Sequence, residues 1–208
     1  MKKTICIFIL WVACTLSGAA QQVLYSNLKS LLEHTGDTVT TLRVEQRSKT
    51  QIYMMGGSDF KIESVGNEQL SKYIKRRCYA VQTDTILYLN CRKMRYKNYR
   101  FGAWYAKALI AGKHVFFCAQ PLGQAASRTI VKEEATKLGG EVGDAINVSG
   151  MVLQRVYYEV DMSTGRSLFV GKDRLKELFA DRPDLLEAID KETTEEASVV
   201  LKYLLQLR

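Results

Sequence analysis

The densest grouping of chemistry-bearing side chains is the run Arg92-Lys-Met-Arg-Tyr-Lys-Asn-Tyr-Arg100, followed closely by Phe101, Trp104 and Tyr105. Guanidinium and ammonium groups clamp phosphate or carboxylate through charge-assisted hydrogen bonds, while interleaved aromatic rings stack on a sugar or a base. Arg92, Lys93, Arg95, Tyr96, Lys97, Tyr99, Arg100 and Trp104 are therefore the candidate ligand-binding residues. Such runs also occur as solvated strand faces or turns. Lys72-Tyr-Ile-Lys-Arg-Arg77 is the other dense positive patch.

Catalytic chemistry has less to work with. Only His34 and His114 supply imidazole. His34-Thr-Gly-Asp37 could set a base beside a carboxylate, but His followed by Gly is also ordinary stop chemistry at a helix C-terminus. His114 and Cys118 would be neighbours on a helix; on a strand they stand about 13 Å apart, beyond the reach of a nucleophilic pair. Ser58 lies in Gly56-Gly57-Ser58-Asp59-Phe60, which is not the Gly-x-Ser-x-Gly elbow of a serine hydrolase. No Cys-x-x-Cys, His-x-x-x-His or calcium-loop spacing occurs. The sequence therefore assigns no catalytic residue, no metal ligand and no cofactor.

The first twenty residues restrict the setting. Lys2 and Lys3, an apolar stretch from Ile5 to Leu16 and Gly18-Ala19-Ala20 before Gln21 have the layout of a cleaved export signal. The apolar stretch is shorter than the roughly 20 residues a membrane span requires. The chain is expected to be exported to a periplasm or beyond, with a lipid-modified Cys14 as the minor alternative. Removing Lys2 and Lys3, in a segment without acids, takes the formal net charge from +8 to +6. A basic surface suits anionic glycans, lipid head groups or an envelope protein; nucleic acid is not expected outside the cell, and membrane contact would be peripheral. Cys78, Cys91 and Cys118 remain beyond the signal. An odd count permits one disulfide or three buried thiols, and implies no disulfide scaffold.

The elements that must hold the basic run read as follows. Val23, Leu24, Leu28, Leu31 and Leu32 recur at helical spacing up to Gly36. Thr38 to Val44 alternates as a strand, and Thr50–Tyr53 with Phe60–Ile62 reads as a hairpin around Gly56-Gly57-Ser58-Asp59. Asn67 opens a brief helix through Ile74. The stretch from Cys78 to Gln120 reads as three or four strands, with bends at Thr83-Asp84, near Lys97-Asn98 and at Ala111-Gly112-Lys113. In that register Cys78 faces Leu89, and a Cys78–Cys91 bond would need the turn shifted by one residue. A helix over 103–110 is the alternative to a strand there.

Residues 122–150 are rich in Gly and Ala. Ala135, Gly139 and Gly143 fall four apart, yet Lys132, Glu133, Glu134, Lys137, Glu141 and Asp144 interrupt the stretch, so it reads as a helix and connector and not as a lipid-facing segment. Asn147-Val-Ser149 has the pattern of a glycosylation acceptor. Residues 151–170 form a hairpin with Gly165 in its loop, and helices fill 171–208, with Pro183 just inside a start capped by Asp181. The expected fold is α+β: a mainly antiparallel sheet with an N-terminal helix and C-terminal helices packed on it, in one domain over 21–208 after a signal at 1–20.

The signal ending in Ala20-Gln21, Gly36-Asp37-Thr38-Val39, Tyr157-Tyr-Glu-Val-Asp-Met-Ser-Thr-Gly165 and Leu178-Phe-Ala-Asp-Arg-Pro-Asp-Leu-Leu186 resemble uncharacterised exported proteins of Bacteroidetes. The resemblance implies a bacterial envelope setting and carries no catalytic residue. Together these readings favour a non-enzymatic envelope protein that binds an anionic glycan, a lipid head group or a partner protein. The alternatives are a secreted hydrolase with a His/carboxylate site and a peripheral membrane component acting through 122–150.

Overall fold

Phe116 and Phe117 are both fully buried, and they point to opposite faces of one sheet. That two-sided burial organises the molecule, because successive strand residues alternate faces and each face must then be covered. The computed structural model describes residues 22–123 and 153–207. Its fold is α+β, built on an antiparallel sheet. The strands are β1 (Gln22–Tyr25), β2 (Asp37–Val39), β3 (Leu42–Gln46), β4 (Phe60–Ser64), β5 (Ala80–Thr83), β6 (Ile86–Asn90), β9 (Tyr105–Ala111), β10 (His114–Ala119), β11 (Val156–Val160) and β12 (Ser167–Phe169). They run in the order β12-β11-β10-β9-β6-β5-β1-β2, with β3 and β4 branching from β9. A separate hairpin is formed by β7 (Arg95–Tyr96) and β8 (Tyr99–Arg100).

One face carries Tyr25, Leu89, Ala106, Phe117 and Tyr158, and is covered by Leu31 of α1 (Leu28–Leu32) and by Met94, Tyr96 and Phe101. The other face has two cores. Phe116 and Tyr157 pack under α4 (Lys172–Leu178), α5 (Pro183–Lys191) and α6 (Ala197–Leu204), through Leu175, Ile189 and Tyr203. Leu24, Val81, Tyr88 and Tyr105 pack under Ile62 of β4 and Ile74 of α3 (Glu68–Arg76).

Several local expectations are corrected. Residues 22–25 are a strand, because β1 pairs on both sides, with β2 and β5, and buries Leu24 and Tyr25 on opposite faces. The helix begins only after Asn27, whose side chain caps it. The expected strand 38–44 is two strands, β2 and β3, broken at Thr40-Thr41. Thr50–Tyr53 is not a hairpin arm but part of α2 (Lys49–Met55), started by a reciprocal Ser48/Gln51 capping box. The partner of β4 is therefore β3, and Gly56–Asp59 is a helix-to-strand connection in which Ser58 is buried. Asn67 does cap α3 as expected.

The β5–β6 turn holds Asp84 and Thr85, with Ala80 opposite Leu89 and Asp84 at φ 51°. Two residues further the same register would set Cys78 opposite Cys91, yet their thiols do not meet. Cys78 leaves the strand and packs with Ile74 and Val81, its Sγ donating to Ala80 O at 3.1 Å, whereas Cys91 packs with Leu89 and Met94 on the other face. All three cysteines are free. Residues 105–111 are strand, not helix. Within the described residues the strand expected over 151–160 is confined to β11, and the residue flanking α5 is Arg182, which makes no side-chain cap, with Pro183 at the first turn. The segment 1–20, the glycosylation pattern at 147–149 and residues 124–150 of the connector lie outside the described residues.

Candidate functional site

The basic run becomes a ribbon because Met94, Tyr96 and then Phe101 anchor it to the core while the residues between them stay exposed. Asn90, fully buried at the end of β6, accepts from Arg92 N at 3.1 Å and donates to Cys78 O at 2.9 Å and Ile74 O at 3.2 Å. Its side chain so caps a single 3-10 turn, Cys91–Lys93, and turns Arg92 and Lys93 outward. Met94 is buried and Arg95 exposed; Tyr96 is buried and Lys97 exposed. Lys97, at φ 52°, and Asn98 make the turn, and Phe101 returns the chain to the core with its ring 4.7 Å from that of Tyr158.

The hairpin register sets Arg95 directly opposite Arg100 and Tyr96 opposite Tyr99. Arg92, Lys93, Arg95, Lys97 and Arg100 are all exposed, and none makes an ion pair or a side-chain hydrogen bond among the described residues. The sequence offers them no local acid, since no Asp or Glu stands between Asp84 and Glu133. Like charges opposed on a hairpin are unfavourable, though at this separation in water by only about 1 kcal/mol. Tyr99 is half exposed and rests against Gly123.

Six of the eight expected residues thus share the ribbon: Arg92, Lys93, Arg95, Lys97, Tyr99 and Arg100. Tyr96 does not face solvent. At 5% exposure its ring packs 5.4 Å from Tyr158, with Lys97 Nζ 5.4 Å from the ring centre. Trp104 is half-buried and belongs to a different group of cations: Arg47 Cζ, Lys61 Nζ and Lys75 Nζ stand 5.6, 5.9 and 5.2 Å from its ring. Its φ of 79° is unusual for a bulky residue, and such strain persists only where surroundings hold it. They do so here through the Gly56–Asp59 connection. Ser58 N donates to Ala103 O at 2.9 Å, and the buried Arg47 guanidinium donates to Gly56 O and Ser58 O at 2.8 Å each. Asp59 then pairs with Arg155, whose Nε lies 2.7 Å from Oδ2. Lys75 belongs to the second basic run of the sequence; Arg47 and Lys61 had no sequence signal, because three separate elements bring them to Trp104.

The two histidines differ. His34 follows α1 at φ 53° and serves as a helix stop. His114 Nδ1 lies 2.6 Å from Glu159 Oε1, and Arg174 Nε donates to Glu159 Oε2 at 2.7 Å. Both oxygens of a buried carboxylate are thereby engaged, and the contact with Glu159 raises the Arg174 guanidinium above its usual value. A cleft of about 490 Å³ nearby is lined by charges of both signs, Lys97, Lys172 and Arg174 with Asp173, Glu177 and Glu195, but by neither His114 nor Glu159. Burial pushes the Cys78 thiol up to about 11 and those of Cys91 and Cys118 up to about 12, so they stay protonated at neutral pH.

Among the described residues no group of three or more His, Cys, Asp or Glu could hold a metal ion, and no helix is long and apolar enough to cross a membrane. No curated protein and no solved structure matches the chain. The ribbon, the cations around Trp104 and the C-terminal helices all fall within one match: residues 23–208 fit the model of a family of unknown function (DUF6563), and the chain belongs to that family.

Proposed function

We propose that this chain is an exported envelope protein that works by binding, not by catalysis, and that the ribbon 92–100 holds phosphate or carboxylate groups of an anionic glycan or lipid head group. The observation that carries the reading is the set of five exposed cations that make no ion pair among the described residues, with Arg95 placed opposite Arg100. An anion lying across that pair would relieve their repulsion and gain charge-assisted hydrogen bonds. Met94, Tyr96 and Phe101 fix the ribbon from below, so little ordering is required on binding.

Replacing Arg92, Lys93, Arg95 and Lys97 together with Ala tests this reading by retention on anionic envelope glycan and on phosphatidylglycerol vesicles. Retention should fall sharply and lose most of its salt dependence. Unchanged retention on both removes the reading, and capture of an acidic protein alone would move the role to protein–protein contact.

The 2.6 Å contact between His114 and Glu159 favours a second reading, a hydrolase with an oriented imidazole. It is the weaker one, because Arg174 also holds Glu159 and the pair does not line the adjacent cleft. Hydrolysis of an envelope ester or glycoside that is lost in His114→Ala would establish it.

A further inference from the structure

α2 ends in three consecutive exposed apolar side chains, Tyr53, Met54 and Met55, at 58%, 76% and 79% exposure. Successive residues on a helix diverge by about 100°, so three in a row spread over about 200° of its end, wider than one narrow groove takes. A fluid apolar phase can take them together. Gly56 and Gly57 follow at φ 61° and 83° and end the helix, so the three exposed side chains form its tip. The helix end adjoins the chain just beyond the basic ribbon, since Gly57 meets Gly102, two residues after Arg100. Gly57 packs on Gly102, where an added Cβ would stand 3.4 Å from the Gly57 Cα, and β4 enters the sheet through Phe60 opposite Tyr105. Trp104 stands beside Gly57, with Lys75 Nζ 5.2 Å from its ring.

Exposed apolar side chains near exposed cations match a surface with an anionic exterior and an apolar layer beneath it. A glycan has the first property and lacks the second. We infer that this end of the protein docks on an anionic lipid surface, with Tyr53, Met54 and Met55 entering the boundary between head groups and acyl chains while the ribbon holds lipid phosphates. The inference rests on the anion-binding reading for its charged half, and on the tip alone for the choice of lipid.

Full-length protein would be sedimented with vesicles of mixed phosphatidylglycerol and phosphatidylcholine, and in parallel applied to immobilised heparin as a soluble-type polyanion. The double substitution Met54→Ser with Met55→Ser should weaken vesicle binding about tenfold, as expected for two partly inserted side chains, and leave heparin retention and the unfolding midpoint unchanged. Vesicle binding equal to that of the unsubstituted protein overturns the inference. If the ribbon substitutions reduce binding to both materials while the Met substitutions reduce neither, anion binding stands and lipid insertion falls. A dimer that dissociates only in the Met variant would assign the tip to a second copy of the chain and overturn it as well.

Discussion

Arg95 and Arg100 are direct cross-strand partners on a two-residue turn, and neither makes an ion pair among the described residues. Arg95→Glu should therefore separate stability from function. An opposite-charge cross-strand pair is favourable by roughly 0.2–1 kcal/mol, so the urea midpoint should rise slightly or hold, while retention on anionic material drops. A variant that is less stable yet still retained would mean the pair is structural.

Asn90→Ala should be costly although the residue touches no proposed ligand. It removes the bond to Cys78 O and the cap on Arg92 N, each worth about 1–3 kcal/mol when left unpaired, while Ile74 O keeps its bond from the Tyr105 hydroxyl. Denaturant unfolding checks this; a loss below about 1 kcal/mol would mean that the 3-10 turn is held by other contacts.

The sequence carried the ribbon itself, because Lys97-Asn98 between short aromatic-basic arms is a local turn signal, and strand alternation separates Arg95 from Tyr96. It did not carry which tyrosine faces the core: Tyr96 and Tyr99 are cross-strand partners, and only the packing of Tyr158 against one side decides between them. The strands from Ala80 to Ala119 and the C-terminal helices were legible from periodicity, whereas β1 was not, because Val23 and Leu24 continue the helical spacing of Leu28, Leu31 and Leu32. α2 was not, because Gly56-Gly57-Ser58-Asp59 imitates a hairpin bend, although Ser48 and Gln51 in fact spell a helix start. Nor could spacing reveal the surroundings of Trp104, which draw on positions 47, 61 and 75, or the meeting of Glu159 with His114 and Arg174. These contacts exist only once distant strands pair.

The buried thiols predict an alkaline limit. Cys78, Cys91 and Cys118 bind their protons more tightly folded, at about 11, 12 and 12, than at the ordinary value of 9.0. Between about pH 9 and 12 the unfolded chain loses protons that the folded chain keeps, so stability is full below pH 9 and declines as pH rises through that window. The full burial of Cys78 and Cys91 should leave their native thiols slow to react with iodoacetamide at pH 8 and fast in urea. Rapid native labelling of Cys78 or Cys91 would contradict their placement.

Gly57→Ala should destabilise by about 2–4 kcal/mol. At φ 83° an added Cβ would lie 2.7 Å from Ala103 O and 3.0 Å from Trp104 Cδ1, with backbone on one side and the strained indole on the other. The measurement is the urea midpoint, with Trp104 fluorescence reporting the local change. Gly56→Ala, where nothing stands within 4 Å, shares the positive φ without the collision and should cost less.

The central claim, that the ribbon is an anion-binding surface, is tested most directly by the salt dependence of binding to phosphatidylglycerol vesicles. The intact protein and the Arg92, Lys93, Arg95 and Lys97 to Ala variant would be compared over a series of salt concentrations. The account predicts steep weakening with salt for the former and a weak, nearly flat response for the latter. Parallel curves of equal affinity would contradict it.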